Sequence, residues 1–237
     1  MFGLEDKVIL VSGGNRGIGA AIVAKLEDHG AKVAYIYRSA PGPRGTLAIK
    51  ADVINPTEMD AVVQRIEEEL GPIYGVVANA GVTNDALLSK MKPEQWETVI
   101  STNLNGVFNT VRPVAPLMYE RRTGCFIFIS SVVGEQGNIG QANYAATKAG
   151  LIGMAKTLGL EGARFGVRAN VVAPGFTETD MVKAIPDKVK EKILQTIPLR
   201  RFATEEEVAW GVIFLLSPVT GDYITGTTLS INGGRHT

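Results

Sequence analysis

Short apolar segments that alternate with helical patterns constrain the fold of this 237-residue chain more than any other feature. The segments are rich in β-branched residues, as buried strands are, and cover residues 8–11, 32–37, 47–51, 73–78, 126–130, 167–172 and 228–231. Helical periodicity lies between most of them, over residues 18–26, 57–70, 93–119, 143–164 and 205–216. Strands that alternate with helices form a parallel sheet covered on both faces. We therefore predict an α/β fold with a doubly wound parallel sheet of about seven strands, in one domain over residues 1–237.

Two local features interrupt this pattern. Pro113 and Pro116 lie inside the helical stretch 93–119, where each proline removes a backbone hydrogen bond, so we expect the helix to break there. Between the second and third strands only the Pro- and Gly-rich residues 38–46 remain, too few for the helix that usually joins parallel strands. We predict a loop in place of that helix.

Composition excludes several classes of function. Because 24 Lys and Arg balance 24 Asp and Glu, the chain lacks the positive charge of nucleic-acid and membrane-surface binders, and we expect neither partner. No apolar run reaches the roughly 18 residues of a membrane span, and residues 1–7 do not resemble a signal peptide, so we predict a cytoplasmic protein. Cys125 is the single cysteine and His29 and His236 the only histidines, which disfavours a metal site.

The first predicted strand runs into a glycine cluster that opens the first predicted helix. Glycine permits a tight turn there, lets the backbone approach a pyrophosphate, and lets the helix pack closely on the sheet. The helix N-terminus also favours negative charge. The cluster predicts a dinucleotide site, typical of a Rossmann fold, built from Gly13, Asn15, Arg16, Gly17, Ile18 and Gly19. A glycine-rich turn without a ligand is the alternative.

The end of the second strand selects the cofactor. Folds that bind NAD place an acidic residue there for the ribose hydroxyls, whereas this chain has Arg38, and Arg16 of the glycine cluster faces the same region. Two guanidinium groups suit a 2′-phosphate. We infer NADPH as the cofactor, with two solvated surface arginines as the alternative.

Two further strand ends extend the predicted crevice. Asp52 and Val53 follow the third strand, where they would hold the adenine amino group and cover its ring, although a helix cap explains Asp52 equally well. Asn79, Ala80 and Gly81 follow the fourth strand, where the ligand crevice of an open α/β sheet lies. A plain turn is the alternative for these three residues.

Three polar residues beyond the fifth strand predict chemistry. Ser131 follows that strand, and Tyr144 and Lys148 stand four residues apart in a predicted helix, which puts phenol and ammonium on one helical face. The pKa of a free tyrosine is near 10, and a neighbouring ammonium lowers it by about one to three units. Ser131 would hydrogen-bond a carbonyl undergoing reduction. An exposed pair would show the same spacing, but the glycine cluster upstream favours catalysis.

Together these motifs resemble the short-chain dehydrogenase/reductase family over residues 4–234. The family's TGxxxGIG, NNAG, Asn, Ser, YxxxK and PG elements match, in order, residues 12–19, 78–81, Asn103, Ser131, 144–148 and 174–175. Residues 140–150 and 170–176 resemble bacterial 3-oxoacyl-[acyl-carrier-protein] reductases, and residues 179–185 and 231–234 also resemble acetoacetyl-CoA reductases of polyhydroxybutyrate synthesis. The resemblance implies NADPH-dependent reduction of a 3-oxoacyl thioester to the (3R)-hydroxyacyl thioester, most directly in fatty acid synthesis.

The resemblance also implies a role for each matching residue. Tyr144 would protonate the carbonyl oxygen, and Lys148 would lower the pKa of Tyr144 and bind the nicotinamide ribose. Asn103 would hold a water that connects Lys148 to solvent. Residues bordering the nicotinamide would be Pro174, Gly175, Thr177, chiefly through its backbone, and Thr179. Residues from about 176 to 203 would form a lid over the substrate.

The sequence does not decide between the possible carriers of the thioester, and it leaves the oligomeric state open. Acyl carrier protein is acidic, so a basic patch beside the active-site mouth would favour it, and the candidates are Arg121, Arg122, Arg164 and Arg168. Coenzyme A phosphates would suit the same arginines. The family implies a homotetramer, which small residues on helix 143–164 and the open edge of strand 228–231 would permit. Alternatives are a reductase of sugars, steroids or xenobiotic carbonyls, an NADP-binding regulator, or a structural subunit.

Overall fold

A single parallel sheet of seven strands forms the centre of the computed structural model, which describes residues 2–179, 182 and 186–237. The strands are β1 (Val8–Ser12), β2 (Lys32–Tyr37), β3 (Leu47–Lys50), β4 (Ile73–Ala78), β5 (Gly124–Ile129), β6 (Val167–Pro174) and β7 (Thr228–Ile231). Their order is β3-β2-β1-β4-β5-β6-β7, with every neighbouring pair parallel. The predicted fold class is confirmed. The chain order reverses between β1 and β4, where such sheets bind ligands beyond the strands' carboxyl ends.

Helices cover both faces of this sheet. They are α1 (Gly17–Asp28), α2 (Pro56–Glu69), α3 (Pro93–Ile100), α4 (Gly106–Val111), α5 (Ala115–Arg121), α6 (Val132–Gln136), α7 (Ala142–Ala163), α8 (Asp187–Gln195) and α9 (Glu205–Leu216). One apolar core joins α1 and α9 to the sheet, and a second joins α2, α4, α5 and α7 to the opposite face. Among the described residues no helix has both the length and the apolarity to cross a bilayer.

The predicted helix over residues 93–119 is divided, and only part of that division was expected. Residues 112–114 separate α4 from α5, so the break near Pro113 is confirmed. Pro116 causes no kink, because it lies in the first turn of α5, where its missing N–H has no helical partner. A π-helical turn, Ser101–Asn105, also separates α3 from α4 and was not predicted.

The loop predicted between β2 and β3 is confirmed, and specific contacts hold it in place. The Tyr35 hydroxyl accepts a hydrogen bond from the Gly42 N–H at 2.8 Å and contacts the Gly42 carbonyl at 3.2 Å. Arg44 forms ion pairs with Glu27 and Asp28 at the end of α1. The loop therefore lies along α1 instead of crossing the sheet face.

The predicted lid, residues 176–203, contains α8, and its first and last residues are hydrogen-bonded to each other. Thr177 and Ala203 form a β-bridge, and the Ala203 N–H donates to the Phe176 carbonyl at 2.9 Å. Residues 180, 181 and 183–185 belong to the stretch that carries part of the family resemblance, and they lie outside the described residues. Thr204 then caps α9 by accepting from the Glu207 N–H.

Candidate active site

A cleft of about 580 Å³ opens beyond the carboxyl ends of β1, β2, β3 and β4. Most of the predicted cofactor residues line it: Gly13, Asn15, Arg16, Gly17, Ile18, Gly19, Arg38, Asp52, Val53, Asn79, Ala80, Gly81 and Thr179. Further lining residues, not predicted, are Ile36, Tyr37, Ser39, Ala51, Val82 and Thr102. The structure thus brings the separate sequence motifs to one crevice at the switch point of the sheet.

The glycine loop owes its shape to two different demands on its glycines. Gly13 and Gly17 have φ of +67° and +57°, a region that side chains rarely adopt. Gly19 has no room for a side chain, because an added Cβ would lie 2.0 Å from the Gly13 carbonyl oxygen. An added Cβ on Gly17 would meet no atom nearer than 3.8 Å, so this stretch of backbone faces open space. The loop and the N-terminus of α1 therefore fit a dinucleotide phosphate.

Asn79 fixes the glycine loop in addition to lining the cleft. Its Nδ2 donates to the carbonyls of Ser12 and Gly13 at 3.0 and 3.1 Å. The Ser12 hydroxyl in turn accepts from the N–H groups of Asn79 and Ala80. The side-chain amide of Asn79 and the backbone N–H groups of Asn79 and Ala80 are thereby committed to the protein.

Asp52 does not cap the following helix. The cap of α2 is Asn55, whose Oδ1 accepts from the N–H groups of Thr57 and Glu58 at 3.1 and 3.3 Å. Asp52 instead accepts from the Ile54 N–H at 3.2 Å and lines the cleft. The helix-cap alternative for Asp52 is therefore wrong, and its carboxylate stays available to a ligand.

Ser131, Tyr144 and Lys148 meet where β5, α6 and α7 converge. Ser131 caps α6, accepting from the Val133 N–H at 3.2 Å, and its hydroxyl also hydrogen-bonds the Tyr144 phenol. The Lys148 Nζ is buried, donates to the Ile129 carbonyl at 2.7 Å, and lies 5.6 Å from the centre of the Tyr144 ring. The predicted triad is therefore assembled on adjacent elements.

Burial shifts the pKa values of the two titrating groups in opposite directions. Desolvation raises the pKa of Tyr144 to about 12, opposed by its hydrogen bond with Ser131 and aided by the nearby Asp85 carboxylate. Desolvation also lowers the pKa of Lys148 to about 8. Lys148 is not among the groups that shift the pKa of Tyr144, and its ammonium is directed at the Ile129 carbonyl. The expectation that Lys148 lowers the pKa of Tyr144 therefore stays a prediction.

Asn103 lies in the unpredicted π-helical turn and is fully buried. Its Nδ2 donates to the Val82 carbonyl at 2.9 Å, and its Oδ1 accepts from the Val82 N–H at 2.8 Å. A Cβ added to Gly81 would lie 3.3 Å from the Asn103 Oδ1 and 3.6 Å from the Lys148 Nζ. Asn103 and Lys148 thus flank the same glycine at the inner end of the cleft.

Pro174, Gly175 and Thr177 do not line the cleft itself. The Gly175 N–H donates to the Ile231 carbonyl at 2.8 Å, and the buried Thr177 hydroxyl contacts the Gly175 carbonyl at 3.3 Å. The Thr177 side chain is therefore used within the protein. Of the residues predicted beside the nicotinamide after β6, Thr179 alone faces the cleft among those described.

The predicted basic patch beside the active-site mouth is wrong. The four arginines lie at or before the amino ends of β5 and β6, whereas the cleft lies at the carboxyl ends of the strands. They are Arg121, Arg122, Arg164 and Arg168. Arg168 is buried and donates to the carbonyls of Leu215 and Leu216 at 2.6 and 3.1 Å, at the C-terminus of α9. The Arg121 guanidinium pairs with Glu67.

Sequence reasoning missed three residues around Tyr144. The Gln141 side chain donates to Asp85 at 2.8 Å. The buried Asn143 donates to the Asn84 carbonyl at 3.0 Å and accepts from the Tyr144 N–H at 2.8 Å. Asn84 and Asp85 lie in the loop after β4, more than 50 residues earlier in the chain. No local pattern marks such contacts.

Comparisons with known proteins agree with this site, which has the arrangement of a nicotinamide-dependent oxidoreductase. A family model described as enoyl-(acyl carrier protein) reductase matches residues 13–236. An acetoacetyl-CoA reductase of Synechocystis sp. is 53% identical over 236 residues, 99% of this chain and 98% of the relative. A 3-oxoacyl-[acyl-carrier-protein] reductase of Vibrio cholerae is 44% identical over 241 residues, 98% of each chain. The chain belongs to the short-chain dehydrogenase/reductase family.

Proposed function

We propose that this protein reduces a 3-oxoacyl thioester to the (3R)-3-hydroxyacyl thioester with NADPH. The observation that carries this proposal is the meeting of Ser131, Tyr144 and Lys148 beside the cleft, with the Lys148 Nζ 3.6 Å from a Cβ added to the lining residue Gly81. A phenol and a hydroxyl that hydrogen-bond each other can together bind one carbonyl oxygen. The names of the relatives supply the substrate class, since they describe reductases of 3-oxoacyl thioesters.

Each residue of the site has its own role in the proposed reduction. A nicotinamide cofactor, when bound, would supply the hydride that C3 of the substrate receives. The hydroxyls of Ser131 and Tyr144 hold the C3 carbonyl oxygen, and the Tyr144 Oη gives that oxygen its proton. Because burial raises the pKa of Tyr144 to about 12, the phenol carries its proton at neutral pH. Lys148 would hold the nicotinamide ribose and, through Asn103 and water, would return the proton to Tyr144.

NADPH is favoured over NADH by two cations at one end of the cleft. Arg16 and Arg38 are both exposed and both line it. Arg38 directly follows β2, where an acidic residue would hold the ribose hydroxyls of NAD. The Asn15 Nδ2 donates to the Ala40 carbonyl at 3.1 Å, which joins the glycine loop to the loop that follows Arg38. Two guanidinium groups at this place suit the 2′-phosphate of NADPH.

Coenzyme A is the first candidate for the carrier of the thioester substrate. The Synechocystis relative named acetoacetyl-CoA reductase shares 53% of its residues with this chain, against 44% for the Vibrio cholerae relative named for acyl carrier protein. The four arginines that would have favoured an acidic carrier protein lie at the amino ends of the strands, opposite the cleft. Reduction of 3-oxoacyl groups on acyl carrier protein is the second candidate, with residues 176–203 as the lid over either substrate.

A homotetramer is the assembly that the surface supports. Phe108 on α4, Leu160 on α7 and Phe214 on α9 are large apolar side chains that are 50%, 82% and 40% exposed. An added Cβ on Gly153 of α7 would meet nothing within 4 Å, so a second helix can approach closely there. Light scattering should give four chains per particle at micromolar concentration, and a monomer would contradict this part of the proposal.

One assay tests the proposed reaction. NADPH consumption is measured with acetoacetyl-CoA, with the matching 3-oxoacyl-carrier protein, and with crotonyl-CoA as an enoyl control. We expect turnover of both 3-oxo substrates, a higher kcat/KM for the CoA thioester, and none of the enoyl thioester. Turnover of crotonyl-CoA alone would replace the proposal with enoyl reduction, and inactivity on all three would refute the thioester assignment.

A further inference from the structure

We propose that Asn143 is a positioning residue that fixes the Tyr144 phenol relative to the cleft. The inference rests on the proposed function, in which Tyr144 is the proton donor. Asn143 is fully buried at the start of α7, directly before Tyr144. Its side chain does not line the cleft, and its hydrogen bonds all go to backbone atoms, so any effect on catalysis must act through the backbone.

The Asn143 amide connects three separate segments. Its Oδ1 accepts from the Tyr144 N–H at 2.8 Å, and its Nδ2 donates to the carbonyls of Asn84 and Gln95 at 3.0 and 3.1 Å. The first N–H groups of a helix lack helical partners, and the Gln141 side chain at the N-cap of α7 supplies none. Asn143 therefore caps the Tyr144 N–H while both of its own donors are used. We call these three bonds the Asn143 clamp.

The clamp joins Tyr144 to the loop after β4, whose first residues, 79–82, line the cleft. Asn84 belongs to the segment after β4 that begins with Asn79. In that segment the Val82 N–H donates to the Asn103 side chain, and the Val82 carbonyl accepts from it. The Gln95 Nε2 donates to the Asn84 Oδ1 at 2.9 Å, so the loop is also fixed to α3. A shift of the clamp would move Tyr144 relative to both Asn103 and Gly81.

Positioning predicts a different kinetic result from simple structural support. A displacement of about 1 Å in a reacting group can cost about 100-fold in rate. Most of the cleft lining comes from the loops after β1, β2 and β3, which the clamp does not contact, and in the loop after β4 the clamp bonds Asn84, which does not line the cleft. Loss of the clamp should therefore lower kcat while leaving the Kd of NADPH unchanged.

Asn170 supplies the matched control. It is also fully buried, its Nδ2 donates to the Ile224 carbonyl at 2.8 Å, and its Oδ1 accepts from the Thr227 N–H at 3.1 Å. It connects β6 to the segment before β7 and plays no part in the site. Asn143→Ala and Asn170→Ala thus remove similar buried amides from two places in the fold.

The experiment compares these variants with the wild type. For Asn143→Ala we expect kcat to fall about 10- to 100-fold, the NADPH Kd to stay within about two-fold, and the deuterium isotope effect from labelled NADPH to rise. Asn170→Ala should lose thermal stability to a similar extent and keep kcat within about two-fold. Equal loss of kcat in both variants, or loss of NADPH affinity in Asn143→Ala, would overturn the proposal.

Two further measurements keep the inference separate from folding and from the proposed reaction. If Asn143→Ala does not fold, Gln95→Ala loosens the same loop from α3, and it should lower kcat without changing the NADPH Kd. The ¹³Cζ signal of Tyr144, assigned against Tyr144→Phe, reports the phenol without any substrate. It should move in the Asn143 or Gln95 variant and not in Asn170→Ala, even if the wild type reduces no thioester. An unmoved signal would refute positioning.

Discussion

Replacing Arg168 with methionine tests whether this arginine stabilises the fold or binds a partner. Its guanidinium donates to the Leu215 and Leu216 carbonyls at 2.6 and 3.1 Å, and it contacts Ser217 and Ile224 only at 3.5 and 3.4 Å. A hydrogen bond from a charged group contributes about 1.5–3 kcal/mol. Two such bonds give an expected loss of roughly 3–6 kcal/mol in the free energy of unfolding, because both carbonyls stay buried in Arg168→Met.

Urea unfolding at one protein concentration measures this loss, and Arg121→Met is the control. Arg121 pairs with Glu67 on the surface, where an ion pair contributes about 1 kcal/mol or less. In the folded fraction, neither variant should change KM for a carrier-protein substrate by more than about two-fold. If Arg168→Met were as stable as Arg121→Met and raised that KM, the structural role of Arg168 would be wrong.

Three further predictions concern the cleft and the phenol. Asp85→Asn removes a carboxylate that raises the pKa of Tyr144. Reduction needs the protonated phenol, so the alkaline limb of the kcat/KM profile should move to lower pH, and an upward shift would contradict this. Arg38→Gln should raise KM for NADPH about ten-fold and leave KM for NADH unchanged, and equal effects on both would argue against a 2′-phosphate contact. Gly19→Ala places a Cβ 2.0 Å from the Gly13 oxygen, so calorimetry should show no NADPH binding, and wild-type affinity would refute the account of the loop.

The sheet could be predicted from sequence because its five inner strands are buried on both faces. Such strands appear as unbroken apolar runs, as in β4, where all six residues are buried. The location of the crevice could be predicted from the same apolar runs, because parallel strands bring their carboxyl ends to one end of the sheet. The missing helix after β2 was also predictable, because proline and glycine leave too short a crossover.

The remaining features depend on contacts between distant segments. The π-helical turn that carries Asn103 has no distinguishing periodicity, and the Val82 backbone is what engages its side chain. Arg168 lies in a strand as a charged residue, and its acceptors are carbonyls at the end of a helix 47 residues later. The pKa of Tyr144 depends chiefly on burial, with smaller effects of Ser131 and Asp85. Spacing in the sequence carries no information on burial of this kind.

The most direct test of the account is the rate of hydride transfer in a single turnover with Tyr144→Phe. NADPH is bound first, acetoacetyl-CoA is added, and NADPH absorbance is followed beside the wild type. We expect the variant to bind NADPH with a Kd within about two-fold of the wild type and to transfer hydride at least about 100-fold more slowly, because the proton donor is gone. Hydride transfer at the wild-type rate in Tyr144→Phe would contradict the assignment of Tyr144 as the catalytic acid.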